Sequence, residues 1–300
     1  MARRVTIDDE PAAFLEQNWH LADARIRRHD GGMGSRTWIV EQRQARWVAK
    51  MVSPEAAGPL AGGLQLAQRL DRAGIPAGAP VPSRTGDLTV PIGDGYWLAL
   101  LTWVPGTPLT GEGDEEQAVI GGTLAKVHAA LQDVELASAE RFHWVDPGAG
   151  YLSLRSWLRP AVSAAVAALD EAGPGAMTWG LLHADPAPGA FRLDPETGRC
   201  GVIDWSYAVV GPLLYDLASA VMYVGGPENA SALIASYLDG GTLGRGEVGA
   251  GLLPLLRFRW AVQANYFAWR IATNNLTGIS GPEDNEAGLE DARLSLRELG

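Results

Sequence analysis

A chain of 300 residues, 47% of them hydrophobic, can bury one large core or two modest ones, which excludes wholesale disorder. A formal net charge of -11 and a pI of about 4.9 argue against a nucleic-acid or anionic-membrane partner, because both reward basic surfaces; the same balance leans toward a cationic small molecule. The single cysteine, Cys200, excludes an internal disulfide and fits a reducing cytoplasm.

Residues 1–17 contain arginines but no apolar run, so no secretory signal is expected there. No stretch reaches the roughly 18 apolar residues of a membrane helix. Residues 24–29, 36–41 (RTWIVE) and 46–52 (RWVAKMV) read as three antiparallel strands. Asp30-Gly31-Gly32-Met33-Gly34-Ser35 joins the first two. Residues 55–73 follow a helical period through Leu60, Leu64, Ala67 and Leu70, and Gly74-Ile75-Pro76 ends it. Residues 87–92 and 96–104 form a hairpin across Gly93-Asp94-Gly95. Pro105-Gly106-Thr107-Pro108 breaks the chain, and helical patterns follow at 115–131, 152–169, 213–224, 228–238, 252–274 and 286–299. One hairpin, 190–193 with 200–203, interrupts them. The expected division is a β-rich lobe over 1–104 and a larger helical lobe over 105–300.

Chemistry concentrates in residues 181–204, LLHADPAPGAFRLDPETGRCGVID. Asp185, beside a bound hydroxyl, could orient it and accept its proton. Asp204 ends an apolar strand and needs a partner; a hard cation on phosphate oxygens is one, a helix cap or an arginine another. Three glycines in the 30–35 turn let backbone N–H groups approach an anion, and Ser35 adds a hydroxyl. Lysine occurs twice, at Lys50 and Lys126. Lys50 sits inside an apolar strand, where a compact ammonium suits a phosphate. His183 reads as a brace under its loop, and Asp216 (in LLYDLAS) as a second brace. His20, His29, His128 and His143 lack zinc-ligand spacing. Arg257, Arg259 and Arg270 share an aromatic helix with Trp260 and Trp269, either as a substrate wall or as flanking charges.

With these motifs in hand, residues 181–218 resemble the aminoglycoside phosphotransferase family, within the protein-kinase-like fold. The family pattern there is H-G-D, four residues, N, a strand ending I-D-W or I-D-F, then Y-D-L-A. The resemblance implies an α+β, bilobal, protein-kinase-like fold: a small antiparallel β lobe with one helix, then a mostly helical lobe. It makes 1–104 the nucleotide-binding lobe and 105–300 the catalytic and substrate lobe. Asp185 becomes the catalytic aspartate and Asp204 the metal ligand. Lys50 becomes the lysine on the α- and β-phosphates. Gly31, Gly32, Gly34 and Ser35 become the phosphate-covering loop, and Thr102, Trp103 and Val104 the hinge for the nucleotide base. Trp205, Tyr207, Arg259 and Trp260 are the candidate substrate residues, with His183 and Asp216 as structural support. The implied reagents are ATP or GTP with Mg2+, and the partner a small-molecule hydroxyl acceptor, with an antibiotic as one class.

Three positions depart from the pattern. Ala190 replaces the asparagine that serves as second metal ligand, Ala184 replaces the usual glycine, and no helix acid stands opposite Lys50, with Glu55 the nearest. The first and third keep open a second expectation, a pseudokinase-like module that binds nucleotide or ligand with little turnover.

Overall fold

The computed structural model describes residues 11–29, 34–93, 95–136, 140–142 and 145–300. Its chain forms two compact units, one of 1–107, 136–138 and 192–207, the other of 108–135, 139–191 and 208–300. An antiparallel sheet dominates the first and helices the second, so the α+β, kinase-like architecture expected from the sequence is borne out.

The first unit opens with α1 (Ala12–Trp19) and continues through β1 (Arg25–His29), β2 (Arg36–Gln42), β3 (Ala45–Val52), α2 (Ala57–Arg72), β4 (Val90–Ile92) and β5 (Tyr96–Thr102). The strands lie in the order β1-β2-β3-β5-β4, with Lys50 opposite Thr37 on one side and Ala99 on the other. Alternation along the strands sorts two faces. Trp38, Val40, Ala49, Met51, Leu98 and Leu100 pack with Leu15 and Leu21. Val52 and Ala99, on the parity of Lys50, pack with Leu60 and Leu64 of α2. The helix α1 was not expected from the sequence. Only Leu15 in it is buried, and the Trp19 indole fastens its end by donating to the Val81 carbonyl at 2.8 Å.

Next come β6 (Thr107–Pro108), α3 (Gly113–Leu131), β7 (Glu140–Arg141), α4 (Leu158–Glu171), β8 (Trp179–Leu182), β9 (Phe191–Leu193) and β10 (Cys200–Val202). The chain ends through β11 (Val209–Pro212), α5 (Leu214–Tyr223), α6 (Ser231–Asp239), α7 (Arg245–Ala272) and α8 (Pro282–Glu298). A small sheet, β7-β11-β8, adds strands that the sequence reading left out. It presents the segment after Leu182 to the first turn of α5. Among the described residues no helix is long and apolar enough to cross a membrane.

The β9–β10 segment completes the first unit. Val202 N–H donates to the Pro76 carbonyl at 2.8 Å, and Arg199 donates to the Gly74 carbonyl at 2.5 Å. Gly201 lies against Pro76 and Val104 with no room for a side chain. These contacts deliver the next residues, 203–207, to the sheet face that carries Lys50.

Candidate functional site

Lys50 is buried, and its ammonium donates within the first unit to Asp204 Oδ1 at 2.5 Å and Ser206 Oγ at 2.8 Å. Asp204 stays half-exposed, 48% against 11% for the lysine side chain. Its backbone is left-handed, φ 74, a conformation that Asp tolerates better than most residues and that aims the carboxylate out of the strand direction of β10. A short 3-10 turn follows, Trp205–Tyr207. Trp205 is buried and donates its indole N–H to the Val202 carbonyl at 2.9 Å, which ties the turn down.

The lysine therefore meets its acid from the 204–206 turn and not from a helix. The only acid on α2 is Asp71, in its last turn. Gly63 explains the exclusion: it packs directly on the Trp205 carbonyl, so α2 lies too close to the turn for a side chain to enter. Glu55 sits exposed in the 3-10 turn Pro54–Ala56, where a hydrogen bond from Ser53 holds its carboxyl below the usual range.

The rest of the expected nucleotide side divides. Gly31 and Gly32 lie outside the described residues. Gly34 abuts the hydroxyl of Tyr207, an exposed residue, so Tyr207 stands beside the glycine turn. The Ser35 hydroxyl is 3.5 Å from that of Thr37. Thr102 ends β5 and donates to the Ala79 carbonyl at 2.8 Å; Trp103 carries the Arg46 guanidinium over its ring at 4.8 Å; Val104 is buried.

In the second unit Asp216 organises the loop around Asp185. Its carboxylate is fully buried in the first turn of α5, where the helix dipole favours an anion. It accepts from the N–H groups of His183 at 2.7 Å and Ala184 at 2.8 Å, and from His128 Nε2 at 3.1 Å. The other nitrogen, His128 Nδ1, lies 2.7 Å from the Tyr237 hydroxyl. Burial and the nearby Asp216 raise the Tyr237 hydroxyl above its ordinary range. Ala184 holds φ 70, a left-handed position that a glycine adopts without strain. The His183 ring accepts the Asp185 N–H at Nδ1, 3.3 Å.

Asp185 is itself partly exposed, 45%, and accepts from the Tyr223 hydroxyl at 2.5 Å and Arg259 Nη2 at 2.9 Å. Burial disfavours the Arg259 charge, but Tyr215, Asp185 and Tyr223 outweigh it and hold the guanidinium above its usual range. Burial, then Asp185, raises the Tyr223 hydroxyl as well. Trp260 is half-buried on α7. Ala190 ends the 3-10 turn Pro188–Ala190 and offers only a methyl.

Tyr223, Ser206 and His128 were not anticipated as parts of this site. Tyr223 had a readable signal: it lies seven residues after Asp216, two helical turns along the same face.

A kinase-like site implies a magnesium ion, and the donors suit one in part. Asp204 offers hard carboxylate oxygen, half-exposed, beside a phosphate-type lysine; magnesium needs only one or two such ligands when phosphates supply the others. Among the described residues no group of three or more His, Cys, Asp and Glu forms an all-protein metal cage.

Residues 25–250 match the phosphotransferase enzyme family APH. A homoserine kinase of Xanthobacter autotrophicus is 29% identical over 171 residues, 51% of this chain and 49% of that protein, so the match spans about half of each. Two solved structures share the fold. A microcompartment-associated aminopropanol kinase has a TM-score of 0.71 at 18% identity, covering 91% of this chain and 90% of that one. An amicoumacin kinase in complex with AMP-PNP, Ca2+ and Ami has a TM-score of 0.72 at 15% identity, covering 95% and 92%. With the family match running through the sheet, the Asp185 loop and the Lys50–Asp204 pair, the chain belongs to the phosphotransferase enzyme family APH.

Proposed function

We propose that the protein is a nucleoside-triphosphate-dependent O-phosphotransferase that moves a γ-phosphate onto a hydroxyl of a small molecule. The observation that carries this reading is the Lys50–Asp204 pair, a buried ammonium on a half-exposed carboxylate at 2.5 Å. Such a pair contributes little net stability, because desolvating the lysine offsets the attraction. Its charges gain a use when a polyphosphate and its cation arrive.

On this reading Lys50 neutralises the α- and β-phosphates as a point charge. Backbone N–H groups of the turn at Gly31, Gly32, Gly34 and Ser35 cover the phosphates, and the backbone at Thr102, Trp103 and Val104 holds the base of ATP or GTP. Magnesium, held by Asp204, would supply charge neutralisation on the phosphate oxygens. Asp185 orients the acceptor hydroxyl and takes its proton as the new O–P bond forms and the bond to the departing nucleoside diphosphate breaks. Positioning and charge compensation supply most of the acceleration. The single cysteine suits a reaction in the cytoplasm.

One observation favours a second reading. The Ala190 methyl cannot ligate a cation, which suits a module that binds nucleotide without turnover. Lys50, Asp204 and Asp185 together favour turnover.

The experiment offers the protein magnesium with ATP or GTP and a panel of acceptors, read as product mass. Homoserine, aminopropanol, amicoumacin and aminoglycosides form the panel, which tests the antibiotic class alongside primary metabolites. A phosphorylated product absent from the Asp185→Ala protein supports the reading. Magnesium-dependent nucleotide binding with no product would favour the binding module, and no nucleotide binding would sink both.

A further inference from the structure

The loop that carries Asp185 cannot hold that residue's side chain by itself. Its other members, Ala184, Pro186, Ala187, Pro188, Gly189 and Ala190, have no polar side-chain atom. A carboxylate on such a loop, 45% exposed, would sample several rotamers unless another element fixed it.

Two helices do so. Tyr223, the last residue of α5, donates its hydroxyl to Asp185 Oδ1 at 2.5 Å. Arg259, in the middle of α7, donates Nη2 to the same oxygen at 2.9 Å and to the Tyr223 oxygen at 3.1 Å. The guanidinium also lies over the Tyr223 ring, 5.6 Å from its centroid. Both donors thus load one oxygen; among the described residues no hydrogen bond reaches Oδ2. The Arg259 side chain is only 8% exposed, and its Nε is buried without a hydrogen-bond partner. So enclosed a cation is poorly placed to touch a substrate; it acts through the carboxylate in front of it.

We propose that Arg259 and Tyr223 are positioning residues that lock Asp185 through Oδ1 and reserve Oδ2 for the acceptor hydroxyl. They supply from α5 and α7 the orientation that the loop lacks. The inference rests on the phosphotransferase reading and deepens it: the oxygen that receives the proton is fixed before the acceptor binds. It also moves Arg259 from the substrate wall to a place behind the carboxylate.

The test combines kinetics with a signal that needs no turnover. The probes are MgATP with whichever panel acceptor is phosphorylated, MgADP for binding, and the Tyr223 ring carbon in protein labelled with 13C-tyrosine. Tyr223→Phe keeps the ring over Arg259 and should lower kcat about tenfold, the worth of one hydrogen bond to a charged group. Arg259→Ala should lower kcat roughly 100-fold, as misplacing a catalytic group does, and Arg259→Lys should recover part of that loss. Nucleotide affinity and acceptor KM should stay within about twofold of the parent, because only uniform binding would move them. In an Asp185→Asn background both substitutions should cost nothing further, the mark of residues acting as one unit. A loss in acceptor KM at constant kcat would make Arg259 a substrate contact and overturn the proposal. Full additivity with Asp185→Asn would do the same. The Tyr223 carbon signal should shift in Asp185→Asn protein; an unmoved signal refutes the lock whether or not the protein turns over. A parent protein without product, but with the shifted signal, defeats the phosphotransferase reading and leaves the lock standing. If Arg259→Ala fails to fold, Tyr223→Phe still decides.

Discussion

Ala184 carries a conformational cost that its neighbours impose. Its N–H must reach Asp216 Oδ1 at 2.8 Å, and the backbone that allows this has φ 70. An alanine in that region costs about 1–2 kcal/mol, while glycine loses about 0.5–1 kcal/mol of chain entropy instead. Ala184→Gly should therefore stabilise the protein by roughly 0.5 kcal/mol, and Ala184→Val should destabilise it, since a β-branched residue tolerates this region least. Urea unfolding of the three proteins checks the order; a glycine variant less stable than the parent would refute the strain. Ser206 offers a second test at this scale. Its hydroxyl accepts from the buried Lys50 ammonium beside the Asp204 carboxylate. Ser206→Ala should cost about 1.5 kcal/mol, the value of a hydrogen bond to a charged group, and weaken MgADP binding severalfold. In a Lys50→Met background, read by urea unfolding, the same change should cost no stability. A Ser206→Ala loss that persists there would show that the serine acts independently of the lysine.

At the scale of elements, two of the three glycines of α2, Gly63 and Gly58, have opposite surroundings. Gly63 faces the Trp205 carbonyl at a distance that admits no Cβ, whereas Gly58 has nothing within 4 Å. Gly63→Ala should push α2 off the 205–207 turn at a cost of about 1–3 kcal/mol, typical of overpacking, and displace Asp204 with the turn. Gly58→Ala should instead gain up to about 1 kcal/mol of helix propensity. Thermal unfolding separates the two, and equal shifts would deny the close approach. The glycines read as helix from the spacing of Leu60, Leu64, Ala67 and Leu70, because an amphipathic face survives weak propensity. The same logic shows where reading fails. The helix α1 is eight residues with a single buried one, and a contact 62 residues away, Trp19 to Val81, holds its end. The strand β8 has four residues and is defined by its partner β11, which no local pattern announces. In α7 the start at Arg245 lies seven residues before the expected one, because RGEVGAG is glycine-rich and its helix comes from packing. Within the site, Lys50, Asp185 and Asp204 stood out because polar residues on apolar strands and tight loops need a reason. Ser206 and Tyr223 did not, since an exposed-looking serine or tyrosine signals nothing until its partner is placed.

At the scale of the whole molecule, the first unit is assembled from separate stretches of chain, 1–107, 136–138 and 192–207. A composition shift near Pro105 marks a change of character along the sequence but carries no information about a later return. That return supplies Asp204 and Ser206 to Lys50, the Val202 N–H to Pro76, and the backbone on which Gly63 packs. Lys50 is buried, and in the absence of 192–207 it would lose Asp204 and Ser206 as acceptors, which is costly for an ammonium held in an apolar sheet. A fragment ending at residue 107 should therefore not fold as an independent β lobe. Its circular dichroism melt should be shallow or absent, and it should bind the dye ANS, as expanded states with exposed apolar surface do. Replacing Lys50 by Met in the same fragment should reduce the dye binding by removing the unpaired charge, while in the whole chain the same substitution should leave the fold intact and remove nucleotide affinity. A fragment of 1–107 with a sharp, cooperative melt near that of the whole protein would refute the dependence. It would mean that the sheet and α2 close their core without the returning hairpin, and that the hairpin serves only to bring its carboxylate and hydroxyl to the lysine.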